Sequence, residues 1–430
     1  MRDILEIAQR AEPDDRALSA AYADYLLELG DPRGELIRLQ LLAEDDTLSA
    51  DDRAALDLEI EELLRVHGEE WLGGLADLLL RGCGQELRYG RTGRQDVGAE
   101  WWFERGWLAG IDGITLGTDG VRALASAPQA AMLRDLSIDG LAMPITSYWG
   151  RPLVLDFGIA RYPMELGRGG FGTVFQSHST EIDPEPLNGS PHLANLRRFR
   201  FGMPGRPASY GHFLDAWVRA MPRLSELDLY ADYLPTESLF AGRTYARLTA
   251  MTMVSDTYFA VSALAGNPTT ARLRRLSLSV PTAERSRPND PEWEPPEGLP
   301  REEVVDLLND GAVPALKYLR LSGSTLGDRG IEAMLKARFI KRLTELELTD
   351  GCLTDAAADM LAGHRDPTKL AVLNLSRNAV SHAALARLRA ALPPTVLLIA
   401  EGQRSADAHV GDPWPDRRPS RRASGRPRRA

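Results

Sequence analysis

Two different periods order the apolar residues of this chain. Near the N-terminus the spacing is helical. In AYADYLLELG, the residues Ala21, Tyr22, Tyr25, Leu26 and Leu29 recur on one helix face. Gly30 stands where a helix ends in a left-handed residue, and Pro32 blocks continuation. RGELIRLQLLAE places Leu36, Leu39 and Leu42 on a second apolar face. A third helix is expected after Ser49, with Asp51 and Asp52 against the positive end of its dipole. Residues 3–75 are therefore expected to be helical, with Trp71 packed across them.

Further along, the template becomes Leu-x-x-Leu-x-Leu. It recurs as LRDLSI, LRRFRF, LSELDL, LTAMTM, LRRLSL, LKYLRL, LTELEL and LAVLNL. The middle apolar residues are Leu136, Phe199, Leu227, Met251, Leu276, Leu319, Leu346 and Leu373, separated by 63, 28, 24, 25, 43, 27 and 27 residues. Most of these spacings fall in the range of about 20–29 residues that marks a stacked strand-and-return unit. The two long gaps are either one period plus an insertion or two degenerate periods. In an x-Leu-x-Leu-x strand the leucines share one face. One strand cannot bury them, but parallel stacking makes a continuous core in which each leucine contributes roughly 1.5–3 kcal/mol. Short amphipathic return helices are legible in the last three units as IEAMLKARF, AADMLAGH and ALARLRAAL.

These patterns carry two resemblances. PDDRALSAAYADYLLELGDPRGELIRLQ, followed by HGEEWLGGL, resembles the repeat-companion domain, on Tyr22, Ala23, Asp24, Leu26, Gly30, Asp31, Arg33, Gly34, Glu35, Leu39, Gln40 and Trp71. WWFERGWLAGI (101–111) is similar to the aromatic-Arg-Gly bridge that such proteins place before their repeats. The repeating units resemble bacterial leucine-rich repeats of the ribonuclease-inhibitor-like class. Together they imply an α/β leucine-rich-repeat solenoid, parallel strands inside and short helices outside, behind a small all-helical domain. The expected organisation is a helical domain at 1–80 and a bridge and cap at 81–130. The solenoid would span 131–400, with insertions near 145–190 and 281–300, before a disordered tail at 401–430. Asn378 sits where such repeats bury an asparagine against the loop backbone, and Asp350 and Ser322 fall near that place in the preceding units.

The repeat-companion resemblance implies company for repeats and no catalytic activity, and solenoids of this kind bind proteins on the concave sheet. Strand alternation directs Arg200, Asp228, Thr252, Ser277, Arg320, Glu347 and Asn374 outward there, with Ser137 on the first strand. Arg198, Glu226, Tyr230, Tyr318 and Glu345 are their outward neighbours. Mixed charge with tyrosine favours a protein partner over nucleic acid, which wants a basic stripe.

Charge sharpens this. The net charge is −10, yet the last fourteen residues, RRPSRRASGRPRRA, hold seven arginines and no acid, leaving the remainder at −17. Such a body repels nucleic acid; only the tail could bind it, or an acidic partner. RRPS and RRAS make Ser420 and Ser424 candidate phosphorylation sites. Arginine outnumbers lysine 47 to 4, pointing to a G+C-rich bacterial genome. No apolar run suggests a membrane span, and no secretory leader is legible, so a cytoplasmic location is expected. Cys83 and Cys352 are far apart and expected to be reduced. No cofactor is called for, and the histidine spacing asks for no metal.

LVLDFGIARYPMELGRGGFGTVF (153–175) raises a rival. Gly167, Gly169, Gly172 and Val174 fit a kinase glycine-rich loop, Asp156-Phe157-Gly158 its metal-binding segment, and His364-Arg365-Asp366 its catalytic loop. The chemistry fails, however. No lysine precedes Lys317, Ala371 stands where an asparagine is required, and the segment order is inverted. A degenerate kinase-related nucleotide binder is the alternative class, and strand plus glycine-rich turn within an insertion is the simpler expectation. Asp24, Asp31, Arg33, Glu35 and Arg38 are expected to form a charge network capping two helices, without a nucleophile. Trp101, Trp102 and Trp107 are expected to cap the first apolar face of the solenoid rather than to line a pocket.

Overall fold

The computed structural model describes residues 1–81, 88–89, 95–96, 99–141, 143–146, 152–155, 183–204, 208, 211–280, 298–308, 313–364 and 369–404. The chain opens with α1 (Arg2–Ala11), α2 (Arg16–Glu28), α3 (Pro32–Ala43), α4 (Ala50–Leu72) and α5 (Ala76–Leu80). The caps are the ones the residues specify. Asp15, Asp31 and Ser49 each accept a backbone N–H of the first turn of α2, α3 and α4. At the end of α2, Gly30 adopts φ +71° while its N–H and that of Asp31 donate to Leu27 and Leu26, a Schellman closure. Gly34 is required for a different reason. A β-carbon there would stand 2.8 Å from the Ala23 carbonyl oxygen, so glycine lets α2 and α3 approach.

Beyond the helices come two short pairs and one large sheet. β1 (Arg88–Tyr89) pairs with β2 (Gln95–Asp96). β3 (Glu100–Glu104) and β4 (Trp107–Leu116) form an antiparallel hairpin at the head of the large sheet. β5 (Asp135–Leu141) follows α6 (Thr118–Ser126), and β6 (Met143–Thr146) pairs aside with β7 (Pro152–Leu155). The sheet continues through β8 (Arg198–Phe201), β9 (Glu226–Ala231), β10 (Ala250–Ser255), β11 (Arg275–Ser279), β12 (Tyr318–Ser322), β13 (Glu345–Thr349), β14 (Val372–Asn374) and β15 (Leu397–Ile399). Among the described residues its eleven strands lie in chain order, parallel from β4 onward.

The register places the period leucines in one row. Phe199, Leu227, Met251, Leu276, Leu319, Leu346 and Leu373 oppose one another strand to strand, each at most 1% exposed. Both long gaps prove to be single periods with insertions, because β5 pairs directly with β8 and β11 with β12. The row also extends past both ends of the sequence pattern. Ile111 opposes Leu136, and Leu398 opposes Leu373.

The return legs change along the array. α7 (Leu214–Arg219), α8 (Thr236–Phe240) and 3-10 turns at Val261–Ala263 and Pro268–Arg272 serve the middle. α9 (Arg301–Leu308) precedes the three expected helices, α10 (Gly327–Lys336), α11 (Asp355–Gly363) and α12 (His382–Ala391). These last helices are tied in sequence order. Asp328, on α10, accepts from Thr354 N–H at 2.9 Å and Oγ1 at 2.6 Å, and Thr354 is the N-cap of α11. Asp355, on α11, accepts from Ser381 N–H at 2.6 Å and Oγ at 2.7 Å, and Ser381 is the N-cap of α12.

Packing is continuous across residue 80. Trp71, Leu72, Leu75, Leu78 and Leu79 lie in the same buried cluster as the strand leucines. A smaller cluster joins Tyr22, Leu26 and Ile37 to Trp107 and Met132. The hairpin is the second joint. Arg105 and Gly106 have φ of 47° and 77°, the paired left-handed conformation of a two-residue hairpin turn. The side chain of Gln40, on α3, donates to Phe103 O at 2.8 Å and accepts from Gly106 N at 2.7 Å. Arg105 forks onto Glu44 at 2.6 and 3.1 Å. The glutamine of the helical motif and the Arg-Gly of the bridge motif are thus two halves of one contact.

Candidate functional site

The outward residues of the sheet form three rows. One runs Ser137, Arg200, Asp228, Thr252, Ser277, Arg320, Glu347, Asn374. A second runs Asp135, Arg198, Glu226, Ala250, Arg275, Tyr318, Glu345. Tyr230 opens the third, beside Val254, Ser279, Ser322 and Thr349. The register places the residues named from alternation in these three rows.

The charges are largely paired within the face. Arg198 forks onto Asp135 at 2.5 and 2.6 Å, and this hydrogen bonding holds its proton more firmly than usual. Arg200 reaches Asp112 at 2.7 Å, and Arg320 approaches Glu347 at 3.9 Å. Tyr318 donates to Glu347 at 2.9 Å, and Arg275 lies 6.0 Å from its ring. Burial, then that hydrogen bond, push the Tyr318 phenol up to about 12. Burial raises the Tyr230 phenol too, aided by Asp228. Asn374 is used locally, accepting from Ser376 N at 3.0 Å.

Between these ends the face is small, and Arg275 on β11 is its one charged residue. Ala250, Thr252 and Val254 on β10 and Ser277 and Ser279 on β11 form a floor. Ser277 is a correction to the sequence expectation. It is 6% exposed, so it is floor and not an anchor; Ser137, at 7%, is buried likewise. The acids Glu226 and Asp228 with Tyr230 border the floor on β9, and Tyr318 and Arg320 border it on β12.

Asn378 is fully buried, and its Oδ1 accepts from Gly351 N at 2.9 Å and Leu353 N at 3.2 Å. Asp350 and Ser322 are not its equivalents. Asn378 follows Leu373 by five residues, which matches Gly351 after Leu346 and Ser324 after Leu319. Asp350 instead adopts φ 52° and pairs with Arg377 and Arg404, both at 2.7 Å.

The kinase-like strings do not assemble into a site among the described residues. Leu153–Leu155 belong to β7 and His364 caps the end of α11. Ala371 immediately precedes β14. Residues 156–175, Arg365 and Asp366 lie outside the described residues, as do Cys83, most of 281–300, the tail and its Ser420 and Ser424. Among the described residues no group of His, Cys, Asp or Glu is arranged to hold a metal. No helix there is long and apolar enough to cross a membrane.

Two expectations about the helical segment are corrected. The charged residues near Gly30 do not form one network. Asp31 caps α3 and pairs with Arg2 at 3.4 Å, Glu35 pairs with Arg38, and Asp24 is exposed. Arg33 is separate, over the rings of Trp71 and Trp107. Trp107, besides stacking on Tyr22 at 5.9 Å, lines a cavity of about 120 Å³ with Glu6, Arg10, Arg33, Trp71 and Gln129. Sequence spacing could not show this, because those residues come from five separated segments.

Residues 314–335, which hold the β12 strand and most of α10, match the Leucine Rich repeat family. The fold is an α/β leucine-rich-repeat solenoid behind a helical segment. A crystal structure of a Bacteroides fragilis protein, solved as a structural-genomics target, is similar over 51% of this chain and 61% of that one. The chain thus spans about three fifths of that protein; at 17% identity and a TM-score of 0.40, the likeness carries no argument. No curated protein matches the sequence.

Proposed function

We propose that this chain is a non-catalytic scaffold that binds a protein partner through the concave sheet, with residues 1–80 acting as its repeat-companion domain. The supporting observation is the floor of small residues on β10 and β11, with Arg275 at its edge, bordered by Asp228 on one side and Arg320 on the other. Three strand spacings separate those two, about 14 Å. A partner presenting a basic and an acidic side chain at that separation, over a small apolar ridge, is complementary to it. Tyr230 and Tyr318 stand half-buried at the borders and add the rigid aromatic area that interfaces favour. Arg198, Arg200, Glu226, Glu345, Glu347 and Asn374 continue the same polar rows and would frame the contact; Thr252 would lie beneath it. The arginine-rich composition and the two well-separated cysteines support a bacterial, cytoplasmic setting.

The test is capture by the intact chain compared with the Asp228→Arg/Arg320→Glu double variant and with Asp359→Arg on the return-helix side. A concave-face partner loses at least about tenfold in affinity with the double variant, equivalent to about 1.4 kcal/mol, and keeps its affinity for the Asp359 variant. Equal binding to all three proteins refutes the reading.

A further inference from the structure

The cavity between the helical segment and the β3–β4 hairpin holds an arginine with no carboxylate at ion-pair distance, Asp31 and Glu6 acting on it only from further away. Among the described residues Arg33 makes no ion pair, and its Nε is buried without a partner. Its guanidinium carbon lies 5.7 Å from the Trp71 ring centroid and 5.3 Å from that of Trp107. Arg10 Nε and Gln129 Oε1, on the same cavity wall, are also buried without partners. Glu6 is the one acidic lining residue among these, and it is occupied. It accepts from Tyr22 OH at 2.8 Å and Arg2 Nε at 3.1 Å, and it stands 3.9 Å from Arg10. Two arginines against one shared carboxylate leave the wall positive.

Elementary energetics makes this arrangement unusual. Burying even part of a charge is costly unless it is paired, and arginine does not escape by losing its proton; Arg33 is half-buried, while 39% of the Arg10 side chain stays exposed. The indole faces attract the guanidinium but use none of its N–H donors. Those donors form a planar fork whose natural complement is an oxyanion. Water could satisfy the polar atoms of a polar cavity, yet it supplies no negative charge. The volume of about 120 Å³ accommodates a small anion of a few heavy atoms and is too small to enclose a nucleotide.

We propose that this cavity is a binding site for a small free oxyanion, a phosphate or carboxylate species, held by Arg33 and Arg10. The site joins elements from both sides of the α3–hairpin contact, so its occupancy would stiffen the union of helical segment and solenoid.

The experiment titrates the full chain with inorganic phosphate and, separately, acetate, at constant ionic strength with chloride as the control. Tryptophan fluorescence and thermal unfolding are followed, since Trp71 and Trp107 flank the guanidinium. The expected result is a saturable fluorescence change with at least one of the two anions. Tm should rise by about 2 °C at tenfold excess over Kd. Phosphate acting alone assigns a phosphate species, and acetate acting alone a carboxylate. Arg33→Lys, which keeps the charge but not the fork, and Arg10→Ala should each weaken binding at least tenfold. No saturable response to either anion, or the same response in phosphate, acetate and chloride, overturns the proposal, whether or not the variants fold. So does a folded Arg33→Lys protein that titrates like the parent.

Discussion

Replacing Asn378 by alanine removes one side chain that serves two consecutive repeats. Its Oδ1 takes the N–H groups of Gly351 and Leu353, and its Nδ2 donates to Leu348 O at 2.7 Å and Leu375 O at 2.9 Å. The residue is fully buried, so water cannot simply take over these bonds. A buried donor left without a partner costs about 1–3 kcal/mol. Two orphaned N–H groups, with two carbonyls losing a donor, set the expected loss at about 3–5 kcal/mol. Urea unfolding measures the total, and native-state hydrogen exchange locates it, because the Gly351 and Leu353 amides should lose protection first. Asn374→Ala is the control. Asn374 is only partly buried and bonds mainly within its own turn, so less than about 1 kcal/mol is expected. If Asn378→Ala costs under about 1 kcal/mol while both amides stay protected, the claim that this asparagine closes the loop between β13 and α11 is wrong.

Gln40→Ala should loosen the hairpin from α3, costing about 1–3 kcal/mol, with faster exchange at the Gly106 amide and little change at β13. Tyr318 should ionise late in a tyrosinate absorbance titration, and Tyr318→Phe should remove that late step. Its folded phenol at about 12 lies above the unfolded value of about 10, so its contribution is present below pH 10 and lost as pH rises from about 10 to about 12. His192 has the opposite sense. Burial, then the charge of Arg10, hold its pKa below the ordinary value of about 6.5. As pH falls through that value the unfolded chain takes a proton that the folded chain refuses, and stability falls; a His192→Gln protein should show a flatter pH–stability curve there.

The strand period was legible because parallel stacking demands one buried leucine at a fixed register in every unit. The rungs at Ile111 and Leu398 were not. Around Ile111 the register shifts twice against β5, which breaks the Leu-x-x-Leu-x-Leu spacing. Leu398 sits in a strand of only three residues. Outward directions on the concave face followed from alternation alone, but exposure did not. Ser277 is outward in the register yet only 6% exposed. The cavity at Arg33 was invisible for a stronger reason. It is built by α1, α3, α4, the β3–β4 hairpin and the turn at Pro128–Met132, and no spacing along the chain encodes that meeting.

The aspartates of α10 and α11 give the return-helix side a direction. Each side chain holds the starting turn of the helix that follows it, through Thr354 or Ser381, and the same neighbours are also joined by Gly327 N–H to Gly351 O and by Arg387 to Asp359. Injury at Asp328 should therefore fray α11 more than α10, and injury at Asp355 should fray α12. This part of the array behaves like a row of leaning tiles, where the position of a lesion decides which neighbour feels it.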